Sequence, residues 1–366
     1  MNISYVHGIC MQHDAISNSI RDEIEWLSAS HRVRLFAYAC DQPQLPFTKV
    51  DDVRALVFDT HFRSSDLVVF HFGVHYPLFD ALTVCPVNAR RLVVFHNITP
   101  KEFVAPSHHE TADLSFKQLA NLMFADHVVC DSQTNLDVMR AAGIDTPATV
   151  MPLALHSHQE PPQAKPSARD GVVRIAFVGR FVKSKGAGEL VAALDQVLRA
   201  TPGRSIALDM VGNLMFSDPL LLDEIGKAIE QLHQAHGAQV SVTIHGSAPE
   251  ELKASLLRDA DLFVLPTWHE GFCVPVLEAL ASGCKVISYD NSNLPAITGG
   301  LGQLVPTGDV AALAAAIADA AALVTSPAWR DSEYGEYAAQ ARAYVATFSP
   351  ERTRRRFLNF IRHFMH

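Results

Sequence analysis

The chain has 366 residues, of which 48% are hydrophobic and 19% are charged, and its formal net charge is -9 at pH 7. This length favours two domains of about 150 to 200 residues each, and the composition is typical of a globular protein with a large core rather than of a disordered chain. The negative charge excludes an overall attraction to nucleic acid or anionic lipid, so an anionic ligand must meet local cations.

Three further features concern the cellular compartment. The six cysteines are scattered without a C-x-x-C pair, which indicates free thiols in a reducing compartment, with unpatterned disulfides as the alternative. The first ten residues, MNISYVHGIC, lack the basic flank of a signal peptide and predict a strand. The longest apolar tract, 310–324, is shorter than the roughly 20 residues of a transmembrane helix. We therefore expect a cytoplasmic protein, with at most peripheral contact with the inner face of the membrane.

The first half alternates short β-rich runs with helical ones. The predicted strands cover 3–7, 33–38, 67–72, 92–96 and 128–130, and the predicted helices cover 14–30, 114–124 and 135–142. Such alternation predicts an α/β fold with a parallel, doubly wound sheet. Residues 156–170 are rich in proline and polar residues, so they predict a linker that follows an N-terminal domain of residues 1–155.

The second half repeats this alternation from 171 to 345. The predicted strands cover 172–179, 206–211, 240–245, 262–265, 286–289 and 303–305, and helices are predicted to end at 200 and to cover 219–236, 249–259 and 275–282. Two similar halves are expected to face each other across a cleft. The terminal helix, within 346–366, is predicted to close back toward the N-terminal domain.

That terminal helix carries a basic cluster beside an apolar stripe. Its arginines are Arg352, Arg354, Arg355 and Arg356, and its apolar residues are Phe357, Phe360, Ile361 and Phe364. The pattern favours a closing helix that packs its apolar stripe and solvates its arginines. The alternative is a patch that approaches anionic lipid near the acceptor.

The stretch 261–283 places two acids around one strand-to-helix turn. A buried-strand run ends at Pro266, and an apolar helix begins with Pro275 and stops at Gly283. Glu270 lies in the loop and Glu278, eight positions later, is predicted in the first turn of the helix. Open α/β sheets bind ligands at the carboxyl ends of their strands. An ordinary turn with two solvated acids is the alternative.

A second loop, 179–186, carries Arg180 and Lys185 between a strand and a helix. Arginine offers a planar fork, lysine a point charge and a helix start free amides, so the loop suits a diphosphate. It is neither the G-x-G-x-x-G fingerprint nor a Walker loop. By itself it also fits a basic surface loop.

Taken together, the ordered motifs resemble a known family. VGRFVKSKG, then His245-Gly246, then ADLFVLPTWHEGFCVPVLEALASG are similar to the retaining nucleotide-sugar glycosyltransferases of family 4, over nearly all of 172–312. The resemblance implies the GT-B fold, in which two Rossmann-like domains with parallel sheets face an interdomain cleft. It also implies a nucleoside diphosphate sugar as donor substrate, with no further cofactor.

The resemblance assigns roles to individual residues. Arg180 and Lys185 neutralise the donor diphosphate and the charge that develops on the leaving group, Glu278 binds the ribose hydroxyls, and Glu270 lies close to the transferred sugar. The residues that present backbone amides to phosphate and sugar are Gly271, Phe272, Cys273 and Val274. Cys273 departs from the glycine or small residue of most relatives.

The N-terminal half resembles a bacterial, mannosyltransferase-like subset of that family. Residues 95–100, FHNITP, match its HN-I-T-P signature, in which the histidine, here His96, faces donor sugar and acceptor. Residues 13–18, HDAISN, match its G-D-A-I-S-N loop, with His13 in place of glycine. Asp131 and Ser132 match a D-S element that also fits a simple helix cap. His7, His71 and His75 match no motif and are interpreted as structural.

The sequence therefore predicts a retaining, metal-independent transfer of a hexosyl unit. We favour mannose from guanosine diphosphate mannose, moved to a saccharide or lipid-linked saccharide in polysaccharide or lipopolysaccharide biosynthesis. Asp259 and Asp261 form a D-x-D sequence, interpreted as a helix-to-strand cap rather than a metal site. The alternatives are another GT-B enzyme such as a nucleotide-sugar epimerase, a nicotinamide dehydrogenase and a non-catalytic sugar-nucleotide-binding protein.

Overall fold

The structure, a computed structural model, describes residues 1–12, 14–156, 161–165 and 167–366. It forms two compact units. The first unit contains Met1–Lys101, Pro106–Ala154 and Phe348–His366, and the second contains Glu102–Ala105 and Leu155–Thr347. His13 of the predicted loop, and residues 157–160 and 166 of the predicted linker, lie outside the described residues.

The first unit is built on a seven-stranded parallel sheet. The strands of this unit are β1 (Asn2–Val6), β2 (Ile9–Cys10), β3 (Arg32–Ala37), β4 (Ala39–Cys40), β5 (Phe47–Lys49), β6 (Leu67–Phe72), β7 (Arg90–Phe95), β8 (His127–Cys130) and β9 (Ala148–Val150). The sheet order is β5-β3-β1-β6-β7-β8-β9, and β2 pairs separately with β4. All six residues of β6 are buried, as expected for a central strand that is covered on both faces.

Before its last helix, the first unit contains α1 (Ala15–Ser28), α2 (Val53–Phe58), α3 (Thr60–Arg63), α4 (His109–Gln118) and α5 (Gln133–Ala141). All of these except α4 begin at a cap residue whose side chain accepts a hydrogen bond from an amide of the first turn. The Asp14 carboxylate accepts a hydrogen bond from the amide of Ser17 at the start of α1, and Ser132 accepts from the amide of Asn135 in α5. These bonds satisfy amides that lack a partner within the helix.

The second unit contains a six-stranded parallel sheet. Its strands are β10 (Val173–Val178), β11 (Ile206–Val211), β12 (Val240–Gly246), β13 (Leu262–Leu265), β14 (Lys285–Tyr289) and β15 (Gly302–Val305), in the order β12-β11-β10-β13-β14-β15. The chain starts in the middle at β10, runs outward to β12 and then returns to β13. The strand order therefore reverses between β10 and β13, which is the switch point where such sheets bind ligands.

Helices cover this second sheet as well. They are α6 (Ser167–Asp170), α7 (Ala187–Ala200), α8 (Pro219–His236), α9 (Glu250–Asp259), α10 (Val274–Ala281), α11 (Leu294–Ile297), α12 (Val310–Val324) and α13 (Tyr334–Val345). The predicted α/β class, with parallel sheets in two units, is confirmed. The elements that the sequence missed, such as α3 and α11, have four residues each, which is too short for a helical period to show.

The last helix, α14 (Pro350–Phe364), belongs to the first unit. It buries Phe357 and Ile361, and the Phe357 ring lies 5.8 Å from the Trp26 ring of α1. The four arginines of the basic cluster are exposed. The helix thus packs its apolar stripe and solvates its charges, while contact of those charges with a membrane remains a prediction.

Among the described residues, no single helix is both long and apolar enough to cross a membrane. Two successive helical segments, Val310–Val324 and Trp329–Phe364, together have the length and composition of a membrane span, but the chain bends by 77° between them.

The end of the predicted linker is fixed to the second unit. The buried Lys165 ammonium donates to the carbonyls of Arg258 and Ser282, each at 2.8 Å, and burial lowers its pKa. The buried Asp261 accepts from the Ser167 hydroxyl at 2.5 Å and from the Arg174 amide at 2.8 Å. Asp261 therefore acts as a structural acceptor within the D-x-D sequence.

Candidate functional site

The loops that follow β10 and β13 lie side by side. Their strands pair in parallel, with Ile175 opposite Leu262, so both loops leave the same edge of the sheet. The carbonyl of Ser184 in the first loop accepts from the Trp268 amide at 2.7 Å and from the Thr267 hydroxyl at 2.9 Å in the second. The sheet topology thus brings the two predicted motifs together at the switch point.

Lys185 and Glu270 meet directly between these loops. The Lys185 Nζ lies 2.5 Å from Glu270 Oε1, and both side chains are largely buried. A charge pair in such a position is held by short, charge-assisted hydrogen bonding. The edge of the sheet therefore carries a cation and an acid side by side.

The approach of the loops depends on Gly186. This residue has φ 69°, and a Cβ atom there would lie 2.1 Å from the Pro266 carbonyl oxygen. Only glycine combines that backbone conformation with such a close contact. The glycine at the end of the Arg/Lys loop thus lets Lys185 reach Glu270.

Arg180 occupies a different environment in the first loop. It is exposed, and within the described ranges no carboxylate lies within ion-pair distance of its guanidinium. Its planar fork is consequently accessible to an anion, which is the requirement for the predicted diphosphate contact.

Glu278 pairs with a lysine that the sequence analysis missed. Lys253 of α9 places its Nζ 2.7 Å from Glu278 Oε1 and 2.7 Å from Glu250 Oε1. Burial acts to lower the pKa of Lys253, but the two carboxylates outweigh it and the net shift is upward. Because α10 covers Val274–Ala281, Glu278 lies in its second turn. The prediction that Glu278 lies in the first turn was wrong, since the helix begins one residue before Pro275.

Cys273 has a backbone conformation that favours glycine. The residue has φ 78° and ψ 64°, it is the N-cap of α10 and it is buried. A side chain is disfavoured in this left-handed region. Burial first, and then the nearby Glu270 carboxylate, raise the pKa of the thiol well above its ordinary value. The thiol is therefore kept neutral beside the Lys185–Glu270 pair.

The rest of the predicted amide segment surrounds Cys273. Gly271 and Phe272 precede it in the loop, and Val274 is the first residue of α10. The carbonyl of Phe272 accepts from the Asn293 side-chain amide at 2.9 Å. This bond anchors the loop at the start of the helix, where amide groups without intrahelical partners are found.

In the first unit, His96 follows β7 at the carboxyl edge of the sheet. Its Nδ1 lies 2.5 Å from Asp131 Oδ2 and its Nε2 lies 2.8 Å from Nδ1 of His71. Only 4% of its side chain is exposed. Both ring nitrogens are thus engaged within the first unit, so a further hydrogen bond to His96 requires that one of these contacts be released.

The sequence analysis interpreted His71 as structural, and the structure places it in direct contact with His96. Its other nitrogen, Nε2, lies 3.2 Å from Glu23 Oε2. The Tyr5 hydroxyl donates to the same carboxylate at 3.0 Å. The signal that could have found His71 is its position near the carboxyl end of β6, the strand next to β7.

Asp131 and Ser132 have separate roles in the D-S element. Ser132 is the N-cap of α5, whereas Asp131 is the buried partner of His96. Asn97, the next residue of the HNITP segment, has φ 79°. Asparagine tolerates that left-handed conformation better than most residues, and its side-chain oxygen accepts from the Ile98 amide at 2.6 Å.

The pKa shifts in this histidine cluster differ in direction. Burial raises the pKa of Glu23 to about 7, and burial lowers the pKa of His71 well below its ordinary value. For His96, burial acts downward, but the Asp131 carboxylate outweighs it and the net pKa is raised. These shifts favour a protonated Glu23 or a protonated His96. They disfavour a second proton on the His71 ring, which therefore stays neutral.

In the described part of the chain, no group of three or more His, Cys, Asp and Glu side chains is arranged to hold a metal ion. All six cysteines carry free thiols. The predicted independence from metal remains a prediction.

Comparison with solved structures identifies the fold. A glycosyltransferase from Rickettsia africae superposes with a TM-score of 0.75 at 16% identity, covering 99% of this chain and 98% of that chain. Sucrose-phosphate synthase from Thermosynechococcus elongatus superposes with a TM-score of 0.70 at 20% identity, covering 99% and 98%. The predicted GT-B class is confirmed by these neighbours.

Sequence comparison finds relatives that match part of the chain. A D-inositol 3-phosphate glycosyltransferase of Rhodococcus erythropolis is 30% identical over 189 residues, which are 50% of this chain and 39% of that protein. The O-antigen chain mannosyltransferase B of Escherichia coli is 31% identical over 99 residues, which are 27% and 25% of the two chains. The chain therefore spans less than half the length of these relatives. Residues 173–322, which contain the Lys185–Glu270 pair and Glu278, match the family of group 1 glycosyl transferases.

Proposed function

We propose that the protein is a retaining glycosyltransferase that moves a hexosyl unit from a nucleoside diphosphate sugar to a hydroxyl acceptor. The observation that carries this proposal is the Lys185–Glu270 pair at the switch point between β10 and β13. Lysine supplies charge to a diphosphate, and the adjacent acid is a hydrogen-bond acceptor for sugar hydroxyls. The match of residues 173–322 to the group 1 glycosyl transferases supports it.

In the proposed reaction, the bond between the anomeric carbon and the donor phosphate oxygen breaks. The acceptor hydroxyl forms the new bond on the same face, and the departing phosphate oxygen takes its proton. Lys185 and the exposed Arg180 stabilise the negative charge that develops on that phosphate. This route needs no carboxylate nucleophile, and the sequence offers none that we can assign in the N-terminal half.

The remaining site residues hold the donor. Glu278 accepts hydrogen bonds from the ribose hydroxyls, and Lys253 orients its carboxylate. Glu270 binds the transferred sugar. The amides around Gly271–Val274 bind phosphate and sugar, as helix starts commonly do.

The finer part of the proposal is mannose as the sugar and guanosine diphosphate as its carrier. Two relatives are named mannosyltransferases: the O-antigen chain mannosyltransferase B of Escherichia coli and an MMP alpha-(1->4)-mannosyltransferase of Mycolicibacterium hassiacum, which is 32% identical over 157 residues, 35% of its length. The HNITP segment points to the same bacterial subset. The acceptor is then a saccharide or lipid-linked saccharide of polysaccharide or lipopolysaccharide biosynthesis, met at the cytoplasmic face of the membrane.

Ligand-dependent thermal shift tests the donor, because a ligand that binds only the folded state raises the melting temperature. We expect guanosine diphosphate mannose to raise Tm more than the uridine and adenosine diphosphate sugars do. Product analysis with an added acceptor then separates transfer from the alternatives. Conversion of the donor without an acceptor indicates an epimerase, and binding without conversion indicates a sugar-nucleotide-binding protein; either result overturns the proposal.

Metal independence is tested in the same assay. Arg180 and Lys185 already supply positive charge for the leaving group, so turnover should be unchanged by an excess of a chelator. Loss of turnover that added Mg²⁺ or Mn²⁺ restores contradicts this part of the proposal.

A further inference from the structure

Four ionisable side chains in the first unit form one continuous hydrogen-bonded chain. In order they are Glu23, His71, His96 and Asp131, joined by contacts of 3.2, 2.8 and 2.5 Å. They come from α1, β6 and the segments that follow β7 and β8. The exposed fractions of the four side chains do not exceed 8%. We call this set the histidine chain.

The contact between the two imidazoles fixes the number of protons. Two ring nitrogens 2.8 Å apart need one proton between them, because two bare nitrogens repel and two N–H groups clash. Each of the other two contacts, Glu23 with His71 and His96 with Asp131, likewise needs one proton between its two polar atoms. With the proton of the last contact on His96 Nδ1, Glu23, His71 and His96 hold three protons in total.

Those three protons have two arrangements. In the first, the Glu23 carboxyl donates to His71 Nε2, His71 Nδ1 donates to His96 Nε2, and His96 is neutral. In the second, the Glu23 proton has moved to His71 Nε2 and the His71 Nδ1 proton has moved to His96 Nε2, which makes His96 an imidazolium. His71 changes tautomer but stays neutral, and no proton is exchanged with water.

We propose that Glu23 and His71 are positioning residues that set the charge of His96, because the shift of two protons along the histidine chain converts Glu23 to a carboxylate and His96 to an imidazolium. The proposal rests on the proposed function for the role of His96 near the sugar. It goes further, because it names two residues that no motif marks. Anionic charge near His96 favours the imidazolium arrangement.

The surroundings agree with a shared proton. The groups that face the chain are Tyr5 and His7 from β1 and its end, Asp14, Ser19 and Asp22 at or in α1, and Tyr76, whose hydroxyl donates to the His71 carbonyl. Within the described residues no lysine or arginine is paired with Glu23 or Asp131. The upward pKa shifts of Glu23 and His96 and the downward shift of His71 fit the two arrangements.

Histidine NMR on the substrate-free protein tests the chain without any assay of transfer. With ¹⁵N-labelled histidines, a coupling across the hydrogen bond should connect His71 Nδ1 and His96 Nε2 in neutral solution. The coupling should vanish at alkaline pH, when the third proton is lost. In Glu23→Gln it should persist to higher pH, because the side-chain amide introduced by this substitution donates permanently. Two histidines that titrate independently, or the same alkaline limit in wild type and Glu23→Gln, overturn the proposal.

Enzyme kinetics give the second readout. Glu23→Gln should lower kcat by on the order of tenfold, leave the donor KM within about twofold, and move the alkaline limit of kcat upward. Tyr5→Phe removes a donor to the Glu23 carboxylate and should move the limit in the same direction. His236→Asn, which breaks a histidine–carboxylate pair with Asp195 in the second unit, is the matched control and should leave the profile unchanged. A lower Tm with an unmoved profile identifies a merely structural role and overturns the proposal.

The two readouts separate this proposal from the proposed function. If no sugar donor is turned over, the proposed function fails, while the NMR coupling and its response to Glu23→Gln still decide whether the proton is shared. If turnover is found and the coupling is absent, the histidine chain fails alone.

Discussion

Lys185 and Glu270 form an ion pair with 2.5 Å between Nζ and Oε1, although 85 positions separate them in the chain. The pairing arises because β10 and β13 are neighbours in the sheet, and each residue lies in the loop that follows one of them. The reversal of strand order at this point brings two distant motifs into one site.

Removing the lysine should nearly abolish transfer. Lys185→Ala deletes the charge that we propose stabilises the leaving diphosphate, so kcat/KM for the donor should fall by at least about 100-fold. Lys183→Ala, at an exposed lysine of the same loop, is the control and should retain activity. Steady-state kinetics measure both, and circular dichroism verifies that the variants are folded. Near-normal turnover in Lys185→Ala would contradict the assigned role.

The proposed contact of Glu278 with the ribose predicts a different effect. Glu278→Ala removes a carboxylate acceptor, and a hydrogen bond to such a group is worth about 1.5 to 3 kcal/mol, so the donor Kd should rise by roughly ten- to a hundredfold. Glu250→Ala removes the other carboxylate on Lys253 but leaves Glu278 in place, and donor affinity should change little. Isothermal titration with the nucleoside diphosphate alone makes the comparison. Equal losses in the two variants would show that Lys253, rather than the ribose, is the important partner of Glu278.

Two glycines near the start of α7 should respond oppositely to alanine. Gly186→Ala places a Cβ 2.1 Å from the Pro266 carbonyl oxygen at a positive φ, so the free energy of unfolding should fall by at least about 2 kcal/mol. A Cβ added at Gly188 would lie in open space, more than 4 Å from any atom outside its own helix turn, and Gly188→Ala should leave stability unchanged or raise it by up to about 1 kcal/mol. Urea denaturation measures both. A stable, active Gly186→Ala protein would contradict the close approach of the two loops.

His7 predicts how stability depends on pH. Burial, and then the neighbouring His71, lower its pKa from 6.5 to about 4. Between these values the unfolded chain binds a proton that the folded chain does not, so stability is lost as the pH falls, by up to about 3 kcal/mol. His7→Asn keeps a donor for the His71 carbonyl and should reduce the loss of Tm between pH 7 and pH 5.

Glu23 makes stability depend on pH in the opposite direction. Because its pKa is raised from 4.5 to about 7, its contribution to stability is lost as the pH rises between these values. The comparison of His7→Asn with wild type cancels that contribution. The exposed His363→Asn provides the control. An unchanged acid loss in His7→Asn contradicts the lowered pKa.

Much of the proposed donor site could be predicted because its residues are close in sequence to strong structural signals. The run 262–265 is a buried strand as predicted, and Arg180, Lys185 and Glu270 lie in loops that Gly, Pro and the strand ends mark out. Lys253 was missed because a lysine in a helix carries no sequence signal for its partner. The positive φ of Cys273 could not be predicted either, because the conformation of this residue depends on how the loop packs.

The sequence by itself determined the alternation of strands and helices, the division into two α/β halves and the charged residues of the two loops, because hydrophobic period and turn residues are local properties. Tertiary structure alone decided which of those residues meet. Long-range packing sets the strand order and the positions of the helices. These bring Lys185 into contact with Glu270, Lys253 into contact with Glu278, and His71 into contact with both Glu23 and His96. A buried hydrogen bond depends on the distance and direction of both partners, and neither is written in the spacing along the chain.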